Sequence, residues 1–202
     1  MTRRLAVFGY ASLVSAVSAG ETLGRPVEIA AVARLNGWRR AWTLGRDNAA
    51  SEKTFARLDG SLPRFCLGLN IDPDPDAPAP NGALIEVSEE ELDRLDLREM
   101  RYHRFEVTDS IDTEAEFDAV YAYHARPEHH HRIPPADAII VSTYPAAIEA
   151  AFAALGPEQL GRYRETTVPP PVEVVEATLI GDAIPDGNPR AWEGPTRRER
   201  SR

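Results

Sequence analysis

Apolar and polar positions divide the chain into short apolar runs separated by turn-rich segments. Leu5-Ala6-Val7-Phe8 is a continuous apolar run that suits a buried strand, and Gly9-Tyr10-Ala11-Ser12-Leu13 is a turn leading out of it. A strand-like run begins at Val27 and continues through Leu35-Asn36-Gly37 to Trp42. Gly37 inside it predicts a bulge or bend. Residues 46–61 are polar and read as loop, and Phe65 to Ile71 reads as another strand. From Asp72 to Pro80 four prolines fix φ and remove donors, which predicts an exposed connector. Gly82 to Val87 is a further strand. Tyr102 to Val107 and Phe117 to Tyr123 read as an antiparallel pair, and Val172 to Leu179 as a late strand.

Three segments carry helix signals. Ser88 is followed three residues later by Glu91, a capping box, with Glu89 and Glu90 also in the first turn. That helix runs through Leu92 and Leu95 to about Glu99. Thr143 can cap a second helix and Pro145 suits its first turn. There Ile148, Phe152 and Leu155 form one buried stripe, and Gly156-Pro157 ends it. A short third helix covers Glu158 to Arg164. Strands outnumber helices and do not alternate with them, which predicts an α+β fold with a mixed or barrel-like sheet. Residues 1–181 are expected to form a single domain and 182–202 a loose C-terminal tail.

Composition narrows the function. The chain has 202 residues, with 43% hydrophobic and 27% charged, ordinary values for a globular protein. Lys+Arg is 23 and Asp+Glu is 32, a formal charge of −9. A uniformly acidic chain is a poor nucleic-acid binder. No run approaches the ~20 apolar residues of a membrane span. The single cysteine, Cys66, excludes an internal disulfide and a Cys-rich zinc site, and inside an apolar run it reads as an inert buried thiol. Residues 1–20 have two readings. The basic start, apolar stretch and small residues before Gly20 fit a secretory signal, while the split into a strand and a turn fits a retained N-terminus.

Glu99 is the first candidate for chemistry. At about 100° per residue, Leu92, Leu95 and Glu99 lie within about 60° of one another, so a carboxylate continues the stripe that the leucines bury. A poorly solvated carboxyl group can serve as base and then acid near neutral pH. The plainer reading is an ion pair with Arg101 or Arg104. The Gly9–Leu13 turn is the second candidate, because backbone N–H groups gathered at a strand end can hold an anion. It lacks the spaced glycines of a dinucleotide fingerprint. His129-His130-His131, with His124 and His103, are all the histidines. Adjacent residues point in different directions and no carboxylate stands at ligand spacing, so no metal is expected there. No Gly-x-Ser-x-Gly supports a serine nucleophile. The arginines at 197, 198, 200 and 202 read as a solvated tail end.

Two segments together resemble a known family. Val7-Phe8-Gly9-Tyr10-Ala11-Ser12-Leu13 resembles the strand-and-turn signature, Y-G-S-(N/L), of the gamma-glutamylcyclotransferase-like family. Leu95-Asp96-Leu97-Arg98-Glu99, followed by Tyr102 and Arg104, resembles the family's Leu-Asp-x-x-Glu segment. Weaker likenesses are Gly37-Trp38-Arg39-Arg40, Gly82 to Val87, and Ser142-x-Tyr144. The match spans about residues 5–165. It implies a small mixed β-barrel with flanking helices, and cyclisation of a γ-glutamyl group to 5-oxoproline with release of an amine or amino acid. It implies that backbone N–H groups of Tyr10, Ala11, Ser12 and Leu13 hold the substrate's α-carboxylate end, that Glu99 shuttles the proton, and that Tyr144 lines the pocket. No metal or cofactor is implied, and the implied location is the cytoplasm, with a secreted binding domain as the alternative. Ala11 stands where the family normally has Gly. That departure keeps open a second reading, a fold relative that binds a γ-glutamyl-like or other small acidic ligand without turnover.

Overall fold

The computed structural model describes residues 3–184 together with 188 and 189. Its elements in chain order are β1 (Leu5–Gly9), α1 (Ala16–Leu23), β2 (Ala31–Leu35), β3 (Trp38–Asp47), β4 (Lys53–Arg57), β5 (Phe65–Pro73), β6 (Asn81–Val87) and α2 (Glu89–Arg98). There follow β7 (Tyr102–Glu106), β8 (Ile111–Asp112), β9 (Ala119–Ala125), β10 (Ala138–Val141), α3 (Thr143–Ala154), α4 (Pro157–Thr166), β11 (Val174–Val175) and β12 (Ala177–Asp182). The architecture is α+β, a mixed, curled half-barrel of sheet with four α-helices among the described residues.

The strand order is β7-β9-β1-β6-β2-β8 in one sheet, β11-β10-β5-β3 in a second, and β12-β4 in a third. β1 is an interior strand, antiparallel to β6 and parallel to β9. All five of its residues are buried, which is why it reads as an unbroken apolar run rather than an alternating one. One core joins the two larger sheets: Phe8, Leu35 and Leu84 from the first meet Leu69, Ile71 and Ile140 from the second, with Ile148 and Phe152 of α3 beside them. The antiparallel pair predicted around Phe105 and Tyr123 is β7 and β9. The Ser88–Glu91 capping box is present in both directions, at 3.2 and 2.9 Å.

Several sequence expectations need correction. Gly37 has a φ of +81° and sits in a turn between β2 and β3, which belong to different sheets, so the run from Val27 to Trp42 is two strands and not one. Residues 46–61 are not all loop: β3 runs to Asp47, and β4 pairs with β12 over a long sequence separation. Asp72 and Pro73 end β5, and Asp72 is buried where an exposed connector is expected. Ser142, not Thr143, occupies the cap position of α3, without a side-chain capping bond. The late strand splits into β11 and β12. Beyond it Ile184 and Asn188 are buried, and Asn188 Nδ2 donates to the carbonyl of Leu97 at 2.8 Å, covering an orphan carbonyl at the end of α2. The arginines at 197–202 lie outside the described residues.

Candidate active site

The turn after β1 is shaped by close approach. A Cβ at Gly9 would stand 2.7 Å from the Leu13 carbonyl carbon, and a Cβ at Gly82 would stand 2.4 Å from the Gly9 carbonyl oxygen. The two hydrogens let the chain fold back on itself directly over β6. A single 3-10 turn, Ser12–Val14, follows, and its leading amides have no partner within the turn. Ala11 has a φ of −137°, so its methyl group requires no left-handed backbone.

Two buried arginines brace this turn. Arg40 is fully buried, and its five N–H groups all donate: to the carbonyls of Tyr10 (2.9 Å) and Asn81 (2.8 Å), to Asn81 Oδ1 (3.0 Å), and to the hydroxyls of Thr166 (3.1 Å) and Thr167 (2.9 Å). It also lies against the rings of Phe152 and Tyr163. Burial lowers its pKa to about 9, which leaves it charged at neutral pH. Arg98, 2% exposed, ends α2. It donates to Ser12 Oγ at 3.3 Å, to Ser18 through its carbonyl at 2.7 Å and its hydroxyl at 2.8 Å, and to the Thr22 hydroxyl. Its Nε donates to Glu99 Oε1 at 3.0 Å.

Glu99 caps the C-terminus of α2 and is 7% exposed, as its position on the leucine stripe predicts. It pairs with Arg98 beside it rather than with the arginines expected from sequence. Arg101 instead grips Glu52 with two hydrogen bonds, one at 3.0 Å, and Arg104 reaches Asp96 at 3.5 Å. Burial alone would raise the Glu52 carboxyl, but the hydrogen bonds and charge of Arg101 outweigh it and hold it at about 2.

Tyr10, Ala11, Ser12, Leu13, Glu99 and Tyr144 all line one cavity of about 470 Å³. That is the usual size of a small-molecule cleft. Tyr10 is buried and donates to the Tyr123 carbonyl at 2.8 Å; burial, and next the charge of Glu99, push its phenol well above the ordinary value. Tyr144 comes from α3, and its hydroxyl accepts from the Leu69 amide at 3.3 Å. Arg46, Glu52, Lys53 and Arg101 also line the cavity, so its wall carries both signs of charge. Cys66 lines it too, with its thiol pushed up by burial. Asp96 is elsewhere engaged, accepting from the Tyr123 hydroxyl at 2.8 Å. Sequence reasoning passes over Arg98, which stands three residues beyond Leu95, and over Glu52 and Lys53, which lie in a stretch that reads as loop.

The histidine run folds differently from its sequence reading. His130 bridges to Leu44 of β3, and His124 belongs to β9. Asp72 joins them from β5, so the carboxylate that is missing in sequence is supplied in space.

No family model and no curated protein matches the sequence. Solved structures do match the fold. A protein described as a gamma-glutamyl cyclotransferase aligns with a TM-score of 0.58 at 15% identity, over 86% of this chain and 94% of that one. An uncharacterized protein from Homo sapiens gives 0.57 at 15% identity, over 86% and 95%. YkqA from Bacillus subtilis gives 0.53 at 16% identity, over 80% of this chain and 53% of its own. Structural similarity across nearly the whole of a relative, at so low an identity, speaks for architecture, and the chain has the gamma-glutamylcyclotransferase-like fold.

Proposed function

We propose that this protein is a gamma-glutamylcyclotransferase-type enzyme that converts a γ-glutamyl compound to 5-oxoproline and releases an amine or amino acid. One observation carries the reading: the 10–13 turn, Glu99 and Tyr144, distant in sequence, line one small cavity on this fold. The charge of the wall supports it. A γ-glutamyl group brings an ammonium and a carboxylate, and the lining offers Glu99 together with Arg46, Lys53 and backbone amides.

In the proposed mechanism the α-carboxylate docks at the 10–13 turn. Glu99 takes a proton from the α-ammonium group. The freed amine attacks the γ-carbonyl carbon, closing a five-membered ring through a tetrahedral centre. The bond from that carbon to the leaving nitrogen then breaks as Glu99 returns the proton to it, and the second proton shed by the ring nitrogen passes to the departing amine, which leaves as an ammonium. No water is consumed, because the nucleophile belongs to the substrate, and positioning supplies much of the rate. Arg98 fixes the Glu99 carboxylate against the turn, and Tyr144 shapes the wall. Cytoplasmic residence belongs to the same proposal: the segment that reads as a signal supplies β1 and the turn, so cleavage after Ala19 would remove both.

A non-catalytic relative is the second reading. The ion pair that engages Glu99 with Arg98 favours it, since a carboxylate committed to an arginine can be architecture alone. Incubation with a panel of γ-glutamyl amino acids, dipeptides and amines, scored for 5-oxoproline, separates the two. Release of 5-oxoproline from at least one compound is expected. Saturable binding with no release across the panel would leave the second reading standing.

A further inference from the structure

We propose that Asp72, His124 and His130 form a binding site for one divalent transition-metal ion of the zinc class. None of the three lines the cavity. The proposal therefore stands apart from the cyclotransferase reading.

The three residues come from separate parts of the fold. Asp72 ends β5 in one sheet, His124 lies on β9 in another, and His130 follows the 3-10 turn Pro127–His129. Their donor atoms lie within 4.8 Å of one another. Both imidazole Nε2 atoms converge on one carboxylate oxygen, Asp72 Oδ1, at 2.8 Å from His130 and 3.7 Å from His124. Yet both nitrogens are buried, and among the described residues neither makes a hydrogen bond in acceptable geometry. Buried polar atoms nearly always make a well-formed hydrogen bond, so two imidazole nitrogens that crowd one carboxylate oxygen without making one call for an explanation. A tetrahedral ion with bonds of about 2.0–2.1 Å places its donors about 3.3 Å apart. The observed spacings bracket that value, and small side-chain rotations would reach it.

The surroundings fit a ligand set. The Asp72 side chain is 4% exposed and fixed at both oxygens, by the Thr43 hydroxyl on Oδ2 at 2.9 Å and by Asn70 Nδ2 on Oδ1 at 3.0 Å. Asn70 Oδ1 in turn accepts from the Ala125 amide at 2.9 Å, which ties the carboxylate's support to the strand that carries His124. Such outer contacts orient metal ligands. Two imidazoles and one carboxylate select zinc, cobalt, nickel or copper over magnesium and calcium, which take six or more oxygens. Three protein donors leave a fourth position for water or a small ligand. An ion here would pin the two larger sheets and the histidine loop together.

The test uses the full chain without a histidine tag, stripped with a chelator. Zn²⁺ titrated by calorimetry should bind with one equivalent, and Mg²⁺ should give no signal. Co²⁺ should produce an intense tetrahedral visible band that Zn²⁺ displaces, and Zn²⁺ should raise the melting temperature. His124→Ala and the near-isosteric Asp72→Asn should each weaken binding by at least ~10²-fold, the upper cost of losing an outer-shell partner. His103→Ala and His129→Ala retain the three donors and should bind as the natural chain does. The natural chain decides the matter even where a variant fails to fold. No saturable Zn²⁺ binding and no Co²⁺ band would overturn the proposal. So would binding that survives His124→Ala and is lost in His129→Ala, since the histidine run alone would then be the chelator.

Discussion

Arg40 and Arg98 grip the same turn from two sides, and they are built differently. Arg40 bonds the Tyr10 carbonyl and only neutral groups, inside a core of stacked aromatic rings. Arg98 bonds Ser12 and helix α1, and it adds a carboxylate at the cavity wall. A buried guanidinium surrounded by neutral acceptors has one evident role, to satisfy five groups that burial would otherwise strand. A guanidinium that shares itself between a turn and an acid couples the position of that acid to the turn. The first residue therefore belongs to stability; under the proposed function the second serves stability and chemistry together.

Arg40→Met separates those roles most sharply. It would leave two carbonyls, an amide oxygen and two hydroxyls without their donor, and an orphaned buried group costs about 1–3 kcal/mol. A loss of at least about 3 kcal/mol in denaturant unfolding is expected, and a loss below about 1 kcal/mol would show that the network is slack. Arg98→Lys is the next largest. A lysine cannot span Ser12, Ser18, Thr22 and Glu99 at once. Loss of these charge-assisted bonds should cost about 1.5–3 kcal/mol, and the 5-oxoproline rate should fall by up to ~10²-fold from misplacement of Glu99. A variant that loses stability but keeps its rate would make Arg98 a second Arg40. Ala11→Gly is the smallest. With a φ of −137° Ala11 needs no left-handed backbone, so glycine should destabilise by up to about 1 kcal/mol through chain entropy and leave the rate nearly unchanged. A more stable and faster variant would mean that the methyl group obstructs the cavity.

The same contrast explains what the sequence made legible. Features set by local chemistry could be read: the apolar run of β1, the capping box at Ser88, and the burial of Glu99 from its place on the leucine stripe. Features set by distant partners could not. Arg40 sits next to Arg39 with nothing local to distinguish it, and its partners come from positions 10, 81, 166 and 167. Asp72 opens a run of prolines that reads as exposed, yet the residue itself ends a buried strand. Helix α1 was missed because Ala, Ser and Gly dominate its Ala16–Leu23 span and give little apolar periodicity. β4 needed β12, whose register partners lie far along the chain, Lys53 opposite Asp182 among them. The arginine beside Glu99 is not legible in the sequence, because Glu99 is the cap of α2, where the backbone turns out of the helix with φ −87° and ψ 41°.

The claim that joins the fold, the turn and the cavity is that Glu99 moves the proton. The direct measurement is 5-oxoproline formation by the natural protein and by Glu99→Gln on the same γ-glutamyl compounds, with melting temperature recorded for both. Glutamine keeps the shape and can still meet Arg98 through its carbonyl, but it cannot accept the proton. The account predicts a rate lower by about 10²–10⁴-fold with little change in melting temperature. A Glu99→Gln protein that folds normally and forms 5-oxoproline at close to the natural rate would contradict it.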